Sequence, residues 1–187
     1  SKAVVFTEGR SDVRILKEFA DTLGYSPAED GTEFIDLEGD GNMSAHGQSL
    51  VKLLDAFGTP YLFLQDSHDG PAREAENELL QTVNSAGGDW EVTPSEIFVW
   101  DAYEIEAYLL DAQAIAALLG VDDVTAVETA MNASEGETPS NVLDDVFESV
   151  AGQSYSKVDH GPFIARHIPA ERVPEEVVNA IAKVESL

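Results

Sequence analysis

Residues 3–16, AVVFTEGRSDVRIL, decide how the rest of the chain is read. AVVFT is continuously apolar, as a strand buried on both faces must be. It runs into Glu8 and Gly9, with Asp12 four residues beyond Glu8. Gly9 permits a tight turn with close backbone approach. Ser11 is expected to cap a helix that reaches about Leu23, with Val13, Leu16, Phe19, Ala20 and Leu23 on one face and Gly24 as the stop. The helix dipole favours an acid in the first turn, which by itself accounts for Asp12. It does not account for a carboxylate at the end of a buried strand. Two carboxylates aimed at one point suggest a cation.

The pattern repeats outward from this unit. TEFIDL (32–37) alternates like a strand, and EGDGN (38–42) reads as a glycine-rich loop. Residues 44–57 predict a helix with Leu50, Leu53, Leu54 and Phe57 facing inward. PYLFLQD (60–66) is a third strand, apolar enough to be central, and a polar helix follows over 71–85 from Pro71. EIFVWD (96–101) is a fourth strand, and YEIEAYLLD leads from it into a helix. Further helices are expected over 112–119, 123–132, 139–150 and 174–184. Strands alternate with helices through connections too long for hairpins. This predicts an α/β fold, a parallel four-stranded sheet flanked by helices with a helical C-terminal extension. The change of class divides the chain into a core, 1–111, and an extension, 112–187, packed on it.

In such sheets the ligand site lies beyond the carboxyl ends of the strands. Glu8 follows the first strand, Asp66, His68 and Asp69 the third, and Glu104 and Glu106 the fourth. Turn chemistry explains an Asp-Gly pair at 69–70 but requires neither Asp66 nor His68. Glu104 and Glu106 share a face if the backbone is extended there and diverge if it is helical. Acids packed at one edge repel one another unless cations bind. A hard divalent ion takes several oxygen ligands, and histidine joins them for an ion such as Mn2+. Lys157 stands far from other lysines, beside Asp159 and His160 and before a Gly-Pro pair; read alone it is a surface lysine or a site cation. His46, His160 and His167 are scattered, and Trp90 and Trp100 read as packing residues.

The composition sets bounds. The 187 residues are 43% hydrophobic, enough for one sizeable core. No apolar run approaches the roughly 20 residues of a membrane helix, and the chain begins on a strand with no signal peptide. Cysteine is absent, which excludes disulfides and thiolate metal sites and suits a cytoplasmic protein. Acidic residues number 36 against 10 basic, a net charge of −26. The acids are spread among amphipathic segments, as on the solvated surface of a halophile's protein; a DNA mimic or a bait for a basic partner is the alternative. No basic stripe is present to grip phosphates, so contact with nucleic acid needs metal ions or another domain.

VVFTEGRSDVRIL followed by YLFLQDSHDGP resembles the Toprim signature of topoisomerases, primases and related nucleases. FIDLEGDGN, EIEAYLL and the C-terminal KVDHGPFIARHIPAERVPEEVVNAIAKV are similar to the overcoming-lysogenization-defect (OLD) family. The resemblance implies a metal-dependent DNA endonuclease domain that hydrolyses phosphodiesters with two ions, Mg2+ or Mn2+. It places Glu8 and Asp66 on one ion and Asp12, Glu104 and Glu106 on the other. It puts Lys157 beside the scissile phosphate and a helix after that lysine. His68 departs from the motif, which has an acid at that position; Asp69 or His68 itself is then the ligand. The resemblance also implies an N-terminal ATPase domain outside this chain, in which no phosphate loop occurs, and a homodimer in the whole protein. A metal-stabilised interaction domain without activity and a topoisomerase- or primase-type module are the alternatives. The five tyrosines, Tyr25, Tyr61, Tyr103, Tyr108 and Tyr155, offer no distinctive context for a strand-breaking nucleophile.

Overall fold

The protein is described by a computed structural model covering residues 2–68, 70–85 and 91–187. These residues form four strands: β1 (Ala3–Thr7), β2 (Thr32–Asp36), β3 (Tyr61–Gln65) and β4 (Ile97–Val99). The helices of the first half are α1 (Arg10–Thr22), α2 (Pro27–Asp30), α3 (Asp40–Ala56) and α4 (Ala72–Asn84). Those of the second half are α5 (Ala112–Leu119), α6 (Val124–Ala133), α7 (Pro139–Ala151), α8 (Lys157–His167) and α9 (Glu175–Glu185). The strands lie in the order β2-β1-β3-β4, all parallel. The two continuously apolar strands, β1 and β3, are the central ones. β2, with the exposed Glu33 on it, lies at an edge.

Successive strand residues point to opposite faces, and this divides the core. Val5, Leu62 and Leu64 join Ile15, Leu16 and Phe19 of α1, Ile115 of α5, Phe147 of α7, Ile164 of α8 and Ile181 of α9 in one apolar cluster. Val4, Phe6 and Phe63 join Val51 of α3 and Leu79 and Val83 of α4 in a smaller one. The C-terminal helices therefore complete the α1 side of the sheet.

The sequence reading needs four corrections. The cap of α1 is Gly9, not Ser11; the Asp12 carboxylate reaches back to accept from the Gly9 N–H at 3.1 Å. The glycine loop is shorter than 38–42, because α3 already begins at Asp40; the turn is made by Glu38 and Gly39, both at positive φ. Leu53 and Phe57 do not face inward but are 55% and 75% exposed. Gly47, Val51 and Leu54 form the inward line of α3, with Gly47 close to Val83 and Phe63. The small α3-side core leaves nothing for the neighbouring stripe to bury against. Finally, β4 spans 97–99 rather than 96–101; the Trp100 N–H still donates to the Gln65 carbonyl at 2.9 Å, and its ring packs against Phe98 and Tyr108.

α8 was expected only through the family resemblance, since Gly161 and Pro162 hide it from periodicity. Pro162 has no N–H for the carbonyl of Val158, four residues earlier. That carbonyl instead accepts from Arg14 Nη1 of α1 at 2.8 Å. A Cβ on Gly161 would lie 3.0 Å from Ile15 Cδ1, so glycine is what lets the two helices approach. Ser156 caps α8 by accepting from the Asp159 N–H at 3.2 Å. Lys157, the first residue of α8, is thereby fixed against the start of α1.

Candidate functional site

The parallel sheet brings its carboxyl ends to one edge, and the predicted acids gather there. Glu8 leaves β1 and Asp66 leaves β3. The Asp66 N–H donates to Glu8 Oε1 at 3.0 Å, joining the two central strand ends. Glu8 Oε2 lies 3.3 Å from His68 Nε2. The Gly39 N–H donates to the Glu8 carbonyl at 2.6 Å, so the short turn after β2 folds onto the same edge. His68 holds a positive φ, and its N–H donates to the Tyr103 carbonyl at 3.0 Å. The Ser67 hydroxyl donates to the Ala102 carbonyl at 2.9 Å. These two bonds tie the segment after β3 to the segment after β4.

Asp12 combines both roles that its position allows. One oxygen takes the Gly9 N–H, and the other lies 3.0 Å from Lys157 Nζ. Glu104 and Glu106 diverge, as a helical backbone requires. Glu104 is extended and starts a 3-10 turn over Ile105–Leu109. Its carboxylate turns away and accepts from the Ser140 N–H and hydroxyl at 2.8 and 2.7 Å. Glu106 turns inward, is 0% exposed and lies 3.0 Å from Lys157 Nζ. The structure thus unites Glu8, Asp12, Asp66, His68, Glu106 and Lys157. It directs Glu104 to Ser140, and Asp69 lies outside the described residues, as does Trp90.

Electrostatics follow from crowding and burial. Burial pushes Asp66 up to about 8 from 3.8, and the charges of Asp12 and Glu8 add to the rise. Burial also raises Glu106 to about 7, against the pull of Lys157. For Lys157, burial works to lower the pKa, but Asp12, Glu106 and Asp66 outweigh it and hold the ammonium above its ordinary range. Four acids and one lysine leave an excess of negative charge in a largely buried site.

The donor chemistry suits a hard divalent cation. Asp12 Oδ1 and both oxygens of Glu106 are buried with no aligned hydrogen-bond donor, so the Lys157 charge is what faces them. Carboxylate oxygens of this kind are the ligands such ions take. No three histidine or acidic side chains among the described residues close around a common point at ligand distance. The ammonium of Lys157 stands between Asp12 and Glu106 instead. Asp66 and His68 also line a cleft of about 380 Å3 that extends toward Glu74 of α4. A larger hollow of about 910 Å3, between α4 and residues 91–94, is lined by none of the site acids and shares only Glu74 and Glu78 of α4 with that cleft.

Residues 1–67 match the model described as the Overcoming lysogenization defect protein-like, TOPRIM domain. Glu8, Asp12 and Asp66 fall inside that stretch, and the resemblance read from EGRSD is borne out there. The fold extends the likeness. The whole chain superposes on 95% of the C-terminal region of the Xanthomonas campestris pv. campestris OLD protein, with a TM-score of 0.62 and 16% identity. It superposes likewise on 98% of the C-terminal region of the Burkholderia pseudomallei OLD protein, with a TM-score of 0.60 and 16% identity. The chain therefore has the fold of OLD C-terminal regions over its whole length. No curated protein sequence matches it. Among the described residues no helix is long and apolar enough to cross a membrane.

Sequence reasoning missed the bond from Asp66 to Glu8 and the capture of Glu104 by Ser140, both of which join residues distant in the chain.

Proposed function

We propose that this chain is the catalytic Toprim domain of an OLD-type DNA endonuclease that depends on divalent metal. The observation that carries the reading is the approach of Asp12 and Glu106 to Lys157 Nζ, each at 3.0 Å, at the strand edge that also holds Glu8 and Asp66. Glu8 and Asp66 would hold one Mg2+ or Mn2+, and Asp12 and Glu106 a second, with Glu104, His68 or Asp69 as further ligands. Bound there, such ions supply Lewis acidity toward a phosphoryl oxygen and activation of water. The side chains prepare for this in definite ways. Asp66 carries a proton near neutral pH, so cation binding releases it and strengthens as pH rises. Lys157 is cationic at any working pH and offers a point charge for the phosphate.

Residues 1–111 form the catalytic core in this reading, and 112–187 the extension that supplies Lys157. The net charge of −26 leaves the grip on DNA to the ions and to an N-terminal ATPase domain, in a cytoplasmic, dimeric whole protein adapted to salt. A supercoiled plasmid incubated with the protein and Mg2+ or Mn2+ at high salt is expected to be nicked. Glu8→Ala and Asp66→Ala are each expected to abolish nicking. Nicking that persists in both variants overturns the reading. His68, at a motif position that otherwise holds an acid, favours a second one: a metal-binding interaction domain, marked by Mn2+ binding without cleavage in the intact protein.

A further inference from the structure

We propose that Arg10, Arg14 and Lys17 of α1 form a phosphate track that leads one DNA strand to Lys157 and the acids. The proposal rests on the nuclease reading above and names the surface by which the substrate reaches the site.

The chain is too acidic for a broad basic face, but the fold gathers its few bases. α1 and α8 hold five of the ten basic residues, Arg10, Arg14, Lys17, Lys157 and Arg166, and only four of the 36 acids. All other segments together hold five bases against 32 acids. The two helices lie side by side and run the same way. Lys157 Nζ is 3.0 Å from Asp12, the Val158 carbonyl accepts from Arg14, Gly161 abuts Ile15, and Arg166 meets Glu18. Both helices therefore start at the strand edge that carries the acids and lead away from it.

Arg10, Arg14 and Lys17 stand at i, i+4 and i+7, on one face of α1, and all three are exposed. At 1.5 Å of rise per residue they span about 10 Å, the length of about three phosphates along one strand of B-DNA. Arg10 and Lys17 make no ion pair among the described residues. Arg14 gives one N–H to the Val158 carbonyl, which anchors the guanidinium without neutralising it. The acids of the two helices are otherwise engaged. Asp12 belongs to the site, Glu18 is bound to Arg166, and Asp159 accepts from the Ser156 hydroxyl at 2.9 Å. Asp21, in the last turn of α1, closes the far end of the row. The row begins two residues before Asp12 and so continues the positive charge of Lys157 out of the site. Charges placed against phosphates fix a strand's position without reading its sequence. Continuity with the place where a phosphodiester must lie favours DNA over an acidic protein surface as the occupant.

Arg10→Gln combined with Lys17→Gln removes two charges of the row and leaves Arg14 to hold α8. Lys52→Gln combined with Arg172→Gln removes one lysine and one arginine elsewhere. With Mg2+ or Mn2+ present, the first pair should raise KM for plasmid nicking roughly tenfold. It should also lower the slope of log KM against log KCl concentration by about 2, one for each lost phosphate contact. Its kcat, Mn2+ affinity and melting temperature should stay the same, and the second pair should change none of these quantities. A KM and salt slope unchanged in the first pair, or shifted equally in both pairs, would overturn the proposal and leave the nuclease reading intact. So would a first pair that keeps its KM but turns a dimer into a monomer, which would make the row a contact for an acidic second copy. If the unchanged protein does not nick DNA, the nuclease reading fails and this proposal falls with it.

Discussion

Glu18 on α1 and Glu106 beyond β4 each face one cation, and the two regions behave differently. At the α1 surface, Glu18 meets Arg166 of α8 at 2.6 Å, with the arginine more than half exposed. Water screens that pair, and exposed pairs of this kind contribute little. At the strand edge, the fully buried Glu106 meets a partly buried Lys157 at 3.0 Å, beside three other acids. There the same Coulomb law makes each charge depend on the others. The comparison teaches that a count of 36 acids says little about chemistry. What matters is which acids the fold removes from solvent.

The largest expected effect breaks the comparison at its centre. Glu106→Gln should lower metal-dependent nicking by about 100–1000-fold, whereas Glu18→Gln should leave it unchanged. Equal losses would show that the buried region has no special role. Next is the lysine. Lys157→Met strands the buried acids and should destabilise the metal-free protein by about 2–4 kcal/mol in denaturant unfolding. Arg166→Met should leave the midpoint where it was.

A smaller effect comes from pH. The folded-state pKa of Asp66 is raised from 3.8 to about 8, so between those values the folded state holds a proton that the unfolded state has lost. The stability this lends is full below about pH 4 and is lost as pH rises through 8. Asp66→Asn removes that dependence. It should make the metal-free protein more stable than the unchanged one at pH 8, by about 1–3 kcal/mol, while abolishing nicking. Urea unfolding at pH 5 and pH 8 checks the sign. The smallest effect is steric. Gly161→Ala sets a methyl against Ile15 and the Tyr155 hydroxyl and should cost about 1–2 kcal/mol.

Much of this was legible in the chain. AVVF and YLFL are apolar throughout because both strands are covered on two faces, and that made the sheet order readable at its centre. Glu8, Asp12 and Asp66 were found because acids at apolar strand ends have no packing explanation. Other features were hidden because they depend on neighbours distant in sequence. Leu53 and Phe57 fit a helical stripe, and only the narrowness of the α3-side core exposes them. Gly161 and Pro162 look like a helix breaker until Arg14 is seen to satisfy the carbonyl that proline leaves open. Glu104 and Glu106 could not be told apart until the backbone turned between them.

The most direct test of the central claim is Mn2+ binding followed by electron paramagnetic resonance, in about 1 M KCl to screen the surface acids. If the strand-end acids form a cation site, the chain binds Mn2+ saturably, and Glu8→Gln or Asp66→Asn removes that binding while Glu18→Gln does not. Binding that is weak, unsaturable and alike in all four proteins would contradict it.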